Sequence, residues 1–206
     1  MIERVKLRGN QIAGMTVLEL LLASSLFSLL GLLLLAAYTQ GSKVLLQGNN
    51  RSEMVRQTNS VCFRLNREIE RSLYGSVSTA GNACSMLSAV DNSGVFRYRS
   101  GSTAPEWQQF EIFYLDSVAK KVKLRTLSVV GTPTESTPSP IELHGPLTPL
   151  TSYLAGGSPI AHNIYAIDFS INSDHQLRVS VGAELARPGQ IAPDRLVQSS
   201  LSNFRN

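Results

Sequence analysis

Glu19 is the residue whose type and position most clearly suggest a chemical role. It stands directly before an uncharged, leucine-rich run of 23 residues, 20–42. A carboxylate in an apolar helix is costly to bury, by about 2.5–3.5 kcal/mol at the centre of a membrane, so such a group is a candidate functional site. Near the end of a helix it can also reach the membrane surface cheaply, so its position alone leaves both explanations open.

The two cysteines, Cys62 and Cys84, are the next candidates. Thiols outside the cytoplasm can be oxidised. A disulfide would then join the helix that is predicted to contain Cys62 to the loop that is predicted to contain Cys84. The alternative is a buried, free Cys62 and an unrelated Cys84, and the sequence leaves both open.

The remaining reactive residues show no catalytic or metal-binding spacing. His144, His162 and His175 form no H-x-x-x-H pair, and the aspartates lack the spacing of a calcium-binding loop. Neither a phosphate-binding glycine loop nor a G-x-S-x-G string occurs. We therefore expect no catalytic residues, no metal and no cofactor. No basic cluster with interleaved aromatic residues follows residue 43, so we expect no nucleic-acid partner.

The element that must position Glu19 is long enough to cross a membrane. Eleven of the 28 leucines fall between Leu18 and Leu35. The uncharged run would form roughly 34 Å of helix, and a bilayer core is about 30 Å thick. Basic residues precede it, and basic flanks stay in the cytoplasm. We expect a single-pass protein with its N-terminus in the cytoplasm and its C-terminal part outside.

Two simpler interpretations of this segment compete with a specialised one. A secretory signal peptide has an apolar region of only about 7–15 residues followed by a small-residue cleavage site, and this run is longer and has no such site. A plain membrane anchor fits the length and needs nothing from Glu19.

The string GMTVLELL at 14–21, which follows a short basic leader, resembles the type IV prepilin motif. That motif is a Gly, a hydrophobic residue, three further residues and a Glu before a long apolar helix. The resemblance implies that a prepilin peptidase cuts between Gly14 and Met15 and that Met15 is then N-methylated. The family usually has Phe where this chain has Met15. Loss of the leader removes three basic residues and one acidic residue, which lowers the net charge from +4 to +2.

The resemblance also suggests what Glu19 does. In a filament, many such helices pack in a core with little water, where an unpaired carboxylate is unfavourable. The α-amino group of Met15 in a neighbouring subunit is a natural partner for it. A buried ion pair of this kind would set the axial register between subunits.

Beyond the apolar run, the sequence predicts that the helix continues and ends near Tyr74-Gly75, where Gly can cap it. Between the two halves, Gly41 and residues 48–50 are poor helix formers. They indicate either a bend or melted turn, or an exposed helix surface that tolerates weak formers. A 3-4-3-4 spacing predicts one buried helical stripe, with the charged residues lying off it. The stripe consists of Val55, Thr58, Cys62, Leu65 and Ile69.

From residue 76 onward, alternating patterns predict an antiparallel sheet. The expected strands are 95–99, 109–115, 118–130, 164–171, 177–181 and a last strand within 195–206. Residues 131–159 hold six of the nine prolines and many Ser and Thr, which predicts a long exposed loop. Trp107 is expected to pack at a sheet edge.

These elements predict an α+β fold of the pilin type. The chain would comprise a cleaved leader (1–14), a transmembrane and assembly helix (15–42), its amphipathic continuation (43–75) packed on the sheet, and a periplasmic β domain (76–206). Within the family, LNREIER at 65–71 and SSLSNFRN at 199–206 resemble stretches of W-type minor pilins and J-type minor pseudopilins.

The resemblance implies a non-enzymatic minor pilin or pseudopilin that initiates or caps a type IV pilus or a type II secretion pseudopilus. Its partners would be other pilins, the prepilin peptidase and inner-membrane lipid. It would lie in the inner membrane until it enters the pilus or pseudopilus. The alternative function is a membrane-anchored periplasmic binding or enzymatic domain that uses residues 15–42 only as a tether.

Overall fold

The computed structural model describes residues 16–91, 93–129, 138–143, 149–186 and 192–204. These residues form one long helix and eight strands in two antiparallel sheets, which confirms the α+β class. The chain divides into two compact units, residues 1–48 and 49–206. The predicted leader, with Gly14, and the predicted first mature residue, Met15, lie outside the described residues.

Helix α1 spans Val17–Ile69. The weak formers Gly41 and 48–50 are all helical, so no turn of the helix is melted there. The predicted end near Tyr74-Gly75 is wrong, because the helix stops at Ile69 and Tyr74–Ser76 form a single 3-10 turn.

Ser72 gives a physical reason for this early end of α1. Its hydroxyl donates to the carbonyl of Glu68 (2.8 Å) and to the carbonyl of Leu87 (3.1 Å). The first bond occupies a helix-end carbonyl that a further turn would use. The second draws the chain away towards the neighbouring strand.

The predicted buried stripe of α1 is confirmed except at its first position. Val55 is 37% exposed, and Met54 is buried in its place. Glu68, predicted to lie off the stripe among the charged residues, is buried as well. The buried residues of α1 are Met54, Gln57, Thr58, Val61, Cys62, Leu65, Glu68 and Ile69.

Each of the two sheets is ordered as its strands occur along the chain. The five-stranded sheet contains β1 (Ser78–Ala80), β2 (Ala83–Ser88), β3 (Gln109–Asp116), β4 (Lys121–Ser128) and β5 (Ser158–His162). The three-stranded sheet contains β6 (Ile164–Ile171), β7 (Gln176–Leu185) and β8 (Asp194–Asn203).

Five of the six predicted strands are confirmed as β3, β4, β6, β7 and β8. The predicted strand at 95–99 is wrong, since its residues form only isolated bridges, Val90 with Phe96 and Tyr98 with Pro105. Gly94 and Gly101 adopt positive φ on either side and turn the chain back on itself. The sequence did not reveal β1, β2 or β5.

The five-stranded sheet separates two apolar clusters. The first cluster joins α1 to one side of this sheet and to the inner side of the three-stranded sheet, and includes Leu65, Phe113 and Val179. The second lies on the other side of the five-stranded sheet. Because both of its sides are covered, β2 is buried at all six positions and shows no alternation.

The second cluster corrects the expectation of a wholly exposed loop at 131–159. Ile141 and Leu150 from this segment are each 1% exposed and pack in the second cluster. Trp107, just before β3, is 3% exposed and belongs to the same cluster. Residues 131–137 and 144–148 of the segment lie outside the described residues.

Candidate functional site

The described part of the first unit, residues 16–48, is a helix that exposes apolar side chains on every side. Its large apolar side chains range from 56% exposed for Leu26 to 80% for Phe27. Its most apolar 18-residue stretch has a mean hydropathy of 2.4, and none of that stretch is buried. A helix that is apolar all round is typical of a membrane span or of the interior of an assembly. The segment is therefore a candidate membrane anchor.

Glu19 lies at the start of this helix, in a reciprocal arrangement with Thr16. The Thr16 amide and hydroxyl both donate to Glu19 Oε2, at 2.9 and 3.0 Å. The Glu19 amide donates in return to Thr16 Oγ1 at 3.3 Å. This is a capping box, with Thr16 as the N-cap and Glu19 as the third helical residue. The T-x-x-E spacing of residues 16–19 is the signal in the sequence that could have revealed this cap.

The capping box occupies one carboxylate oxygen and leaves the other available. Glu19 Oε1 makes no hydrogen bond to a described residue. The structure therefore places Glu19 where an additional cation can reach it. The predicted partner, the α-amino group of Met15 in another subunit, lies outside the described residues, so the register role of Glu19 stays a prediction.

Cys62 and Cys84 are both buried in the first apolar cluster, at 5% and 0% exposed, and both are free thiols. The two thiols belong to the same cluster and are unbonded in this structure, and the Cys62–Cys84 disulfide stays a prediction. The predicted loop position of Cys84 is wrong, because Cys84 lies within β2 opposite Phe113. Burial raises the pKa of both thiols, which makes them poor nucleophiles.

The histidines are not brought together. His162 ends β5, and His175 lies in the β6–β7 turn with its ring 4.3 Å from that of Tyr74. His144 lies outside the described residues. Within the ranges that the structure describes, no group of three or more His, Cys, Asp and Glu side chains could hold a metal ion.

A ladder of polar side chains, which the sequence did not predict, joins α1 to β8. Thr58 Oγ1 donates to Gln198 Oε1 (2.8 Å), and Gln198 Nε2 donates to Asn59 Oδ1 (2.7 Å). About two turns further along α1, Asn66 Nδ2 donates to Ser200 Oγ (3.1 Å). Thr58 was predicted to be buried, but nothing in the sequence indicated that Asn59 and Asn66 bond β8, so only the position of β8 shows their role.

The outer side of the three-stranded sheet carries an open groove of about 510 Å³. Arg178 and Leu201 line it together with Ser170 and Ser199. Ser199 shares a hydrogen bond with Ser180 at 2.9 Å. Among the described residues that line the groove, Arg178 is the single cation, and none carries a carboxylate or imidazole that could act as a base.

No family model, curated protein or solved structure matches this chain.

Proposed function

We propose that this protein is a minor pilin or minor pseudopilin whose apolar helix is first a membrane anchor and then an assembly surface. The observation that supports this most is the exposure of every large apolar side chain in residues 17–46. Soluble monomers rarely expose contiguous apolar patches beyond a few hundred Å². A plain anchor would explain the apolar surface and could use the same capping box, so a further role for Glu19 rests on the prepilin-like motif at 14–21.

The proposal includes processing of the chain between Gly14 and Met15, followed by N-methylation of Met15. The new α-amino group would then lie one residue before the capping box. A positive charge is unfavourable at the N-terminus of a helix, where the helix dipole is also positive. The Glu19 carboxylate offsets this charge, and its available Oε1 suits the α-amino group of an incoming subunit.

The second unit contains the β domain, which the filament would carry. Residues 54–69 bury a stripe against the sheets, and the polar ladder fixes β8 to the same helix. The β domain is therefore fastened to the end of the element that assembles. We place the protein in the inner membrane, with its N-terminus in the cytoplasm and its β domain in the periplasm, and then at the end of a pilus or secretion pseudopilus.

The decisive experiment is mass spectrometry of the N-terminus, on protein purified from cells with and without the prepilin peptidase. We expect N-methyl-Met15 only where the peptidase is present, and an uncut chain for a Gly14→Val variant. An intact Met1 in all samples, or a cut near residue 38, would instead support the tethered periplasmic domain.

A second experiment separates processing from assembly. A Glu19→Ala variant should be cut at Gly14 but should not enter filaments, whereas Glu53→Ala, which changes a partly exposed glutamate in the second half of α1, should do both. Quantifying the wild-type protein in purified filaments tests the minor role. Abundance equal to that of the main shaft subunit would contradict it.

A further inference from the structure

The groove on the outer side of the three-stranded sheet is built around one guanidinium group. Arg178 lies on the middle strand, β7, in register with Ser170 of β6 and Leu201 of β8. In the next row on the same side, Ser180 of β7 pairs with Ser199 of β8. Because these serine side chains are short, they leave open space beside the Arg178 head group, and the groove has a volume of about 510 Å³. This volume lies within the range of about 300–1,000 Å³ that is typical of small-ligand sites.

The Arg178 guanidinium is available to a ligand. It makes no hydrogen bond or ion pair to any residue that the structure describes. Arg195, a cation on the same side of the sheet, is instead engaged, because its Nε lies 3.2 Å from Glu184 Oε2 and its guanidinium lies 4.8 Å from the centre of the Tyr165 ring. A guanidinium presents its N–H groups in a planar fork that matches the two oxygens of a carboxylate. Arg178 can therefore bind an anionic group in this way.

The charges around the groove favour a ligand with a single negative charge. Arg178 is the single cation among the described residues that line it. Asp168 lies in the next row on the same side of the sheet, without lining the groove, and its carboxylate repels further negative charge. A phosphate group carries up to two negative charges at neutral pH and is usually held by several cationic or backbone donors. These surroundings therefore favour a carboxylate over a phosphate.

The rest of the groove combines hydroxyl groups with apolar surface. The Ser170 hydroxyl makes no hydrogen bond to a described residue. The Ser199 hydroxyl shares one bond with Ser180 at 2.9 Å, and a hydroxyl can make up to three, so it can also bind a ligand. Leu201 is 55% exposed and lines the groove beside them, together with Ile171. A sugar ring has the matching composition, since its hydroxyl groups lie at the edge and its C–H groups form an apolar face.

We propose that this groove binds an acidic sugar, a sugar ring that carries one carboxylate. The carboxylate pairs with the Arg178 guanidinium, and the ring hydroxyls exchange hydrogen bonds with Ser170 and Ser199. The C–H face of the ring packs on Leu201. This role belongs to the β domain and goes beyond the assembly role of the apolar helix.

The test is a titration of the full chain in detergent micelles, followed by amide NMR at low ionic strength, where an exposed ion pair is least screened. The probes are glucuronate, which carries the carboxylate, glucose, which lacks it, and glucose 6-phosphate, which has a phosphate in its place. We expect glucuronate to cause saturable shift changes at Ser170, Arg178 and Ser199. Glucose and glucose 6-phosphate should bind more weakly.

Three variants show whether binding depends on the groove. Arg178→Met removes the charge and keeps a long side chain, and we expect it to weaken glucuronate binding by at least about tenfold. Arg64→Met is the matched control, because Arg64 is exposed on α1 and does not line the groove, and its binding should equal that of the wild type. Ser170→Leu leaves the charge in place and fills part of the groove from an exposed position, so it should also weaken binding. It provides the same test if Arg178→Met does not fold.

Three results would overturn the proposal. The first is the absence of saturable changes in the groove with glucuronate. The second is binding of glucose or glucose 6-phosphate at least as tight as that of glucuronate, because the carboxylate would then not be recognised. The third is an unchanged dissociation constant in Arg178→Met or, if that variant does not fold, in Ser170→Leu. None of these measurements depends on cleavage at Gly14 or on entry into filaments, so this proposal can fail while the proposed function stands.

Discussion

Residues 17–48 and 49–69 belong to one α-helix but suit different surroundings. The first segment buries none of its large apolar side chains within the chain, whereas the second buries eight residues along one stripe. Backbone hydrogen bonds form the helix in both segments. The side chains alone distinguish a helix that packs on its own sheets from one that must find lipid or other helices.

The difference also shows where each segment obtains its stability. Burying one large apolar side chain contributes about 1.5–3 kcal/mol. Residues 54–69 gain this from the β domain. The exposed leucines of the first segment gain it only from a surrounding membrane or from partner subunits. Substitutions in the two segments should therefore affect different measurements.

Removing one core aromatic ring should give the largest effect. Phe113 is 0% exposed in the first apolar cluster, and Phe27 is 80% exposed on the first segment. We expect Phe113→Ala to lower the free energy of unfolding by about 3–5 kcal/mol and Phe27→Ala to change it by less than about 0.5 kcal/mol. Denaturant unfolding of the detergent-solubilised chain, monitored by Trp107, measures both. Equal losses would mean that Phe27 packs within the chain.

A charge within the first segment should act on membrane insertion. Leu30→Arg introduces a cation into the uncharged run at a cost of about 2.5–3.5 kcal/mol. We expect much of this variant to be absent from carbonate-washed membranes. Phe63→Arg is the control, because Phe63 is 73% exposed on the second segment, and it should remain membrane-bound. A Leu30→Arg variant that is retained in full would contradict the anchor.

Helices and strands of this fold were predictable from the sequence where one side of the element is buried and the other is solvated. The α1 stripe and the alternating strand β6 satisfy that condition, and both were found. β3 was also found, from its run of aromatic residues, although both of its sides are buried. β2 was missed because both of its sides are covered and it has no aromatic run like that of β3. The 95–99 segment misled because its alternating residues form isolated bridges and not a strand. The periodicity of a short segment reveals neither a strand that is covered on both sides nor isolated bridges whose residues happen to alternate.

In the candidate site, only the residues that are close together in the sequence were predictable. Glu19 was found from its place before the apolar run, and its partner Thr16 lies three residues away. The burial of Glu68 was not predictable, because Glu68 resembles the charged residues on either side of it in the sequence. Only the structure shows that the Glu68 side chain is buried, at 4% exposed.

A smaller effect should come from the polar ladder. Asn66→Ala removes the side chain that bonds Ser200, and we expect unfolding to become easier by about 1–3 kcal/mol. Ser60→Ala, on an exposed position of the same helix, should change the free energy by less than about 0.5 kcal/mol. Amide hydrogen exchange along β8 would locate the loss. Equally faster amide exchange in both sheets would show that Asn66 stabilises the whole domain and not β8 in particular.

The smallest effect should come from the helix N-terminus, since few contacts within the chain depend on it. Thr16→Ala removes the N-cap side chain and frees Glu19 Oε2, at a cost of about 1 kcal/mol to the first turn. Thr16→Ser, which keeps the hydroxyl, should behave as the wild type. Amide exchange of residues 17–20 in micelles measures the fraying, while unfolding of the β domain should not change. A loss in the β domain as large as that in the first turn would mean that the two segments of α1 share their stability, and the contrast between them would then fail.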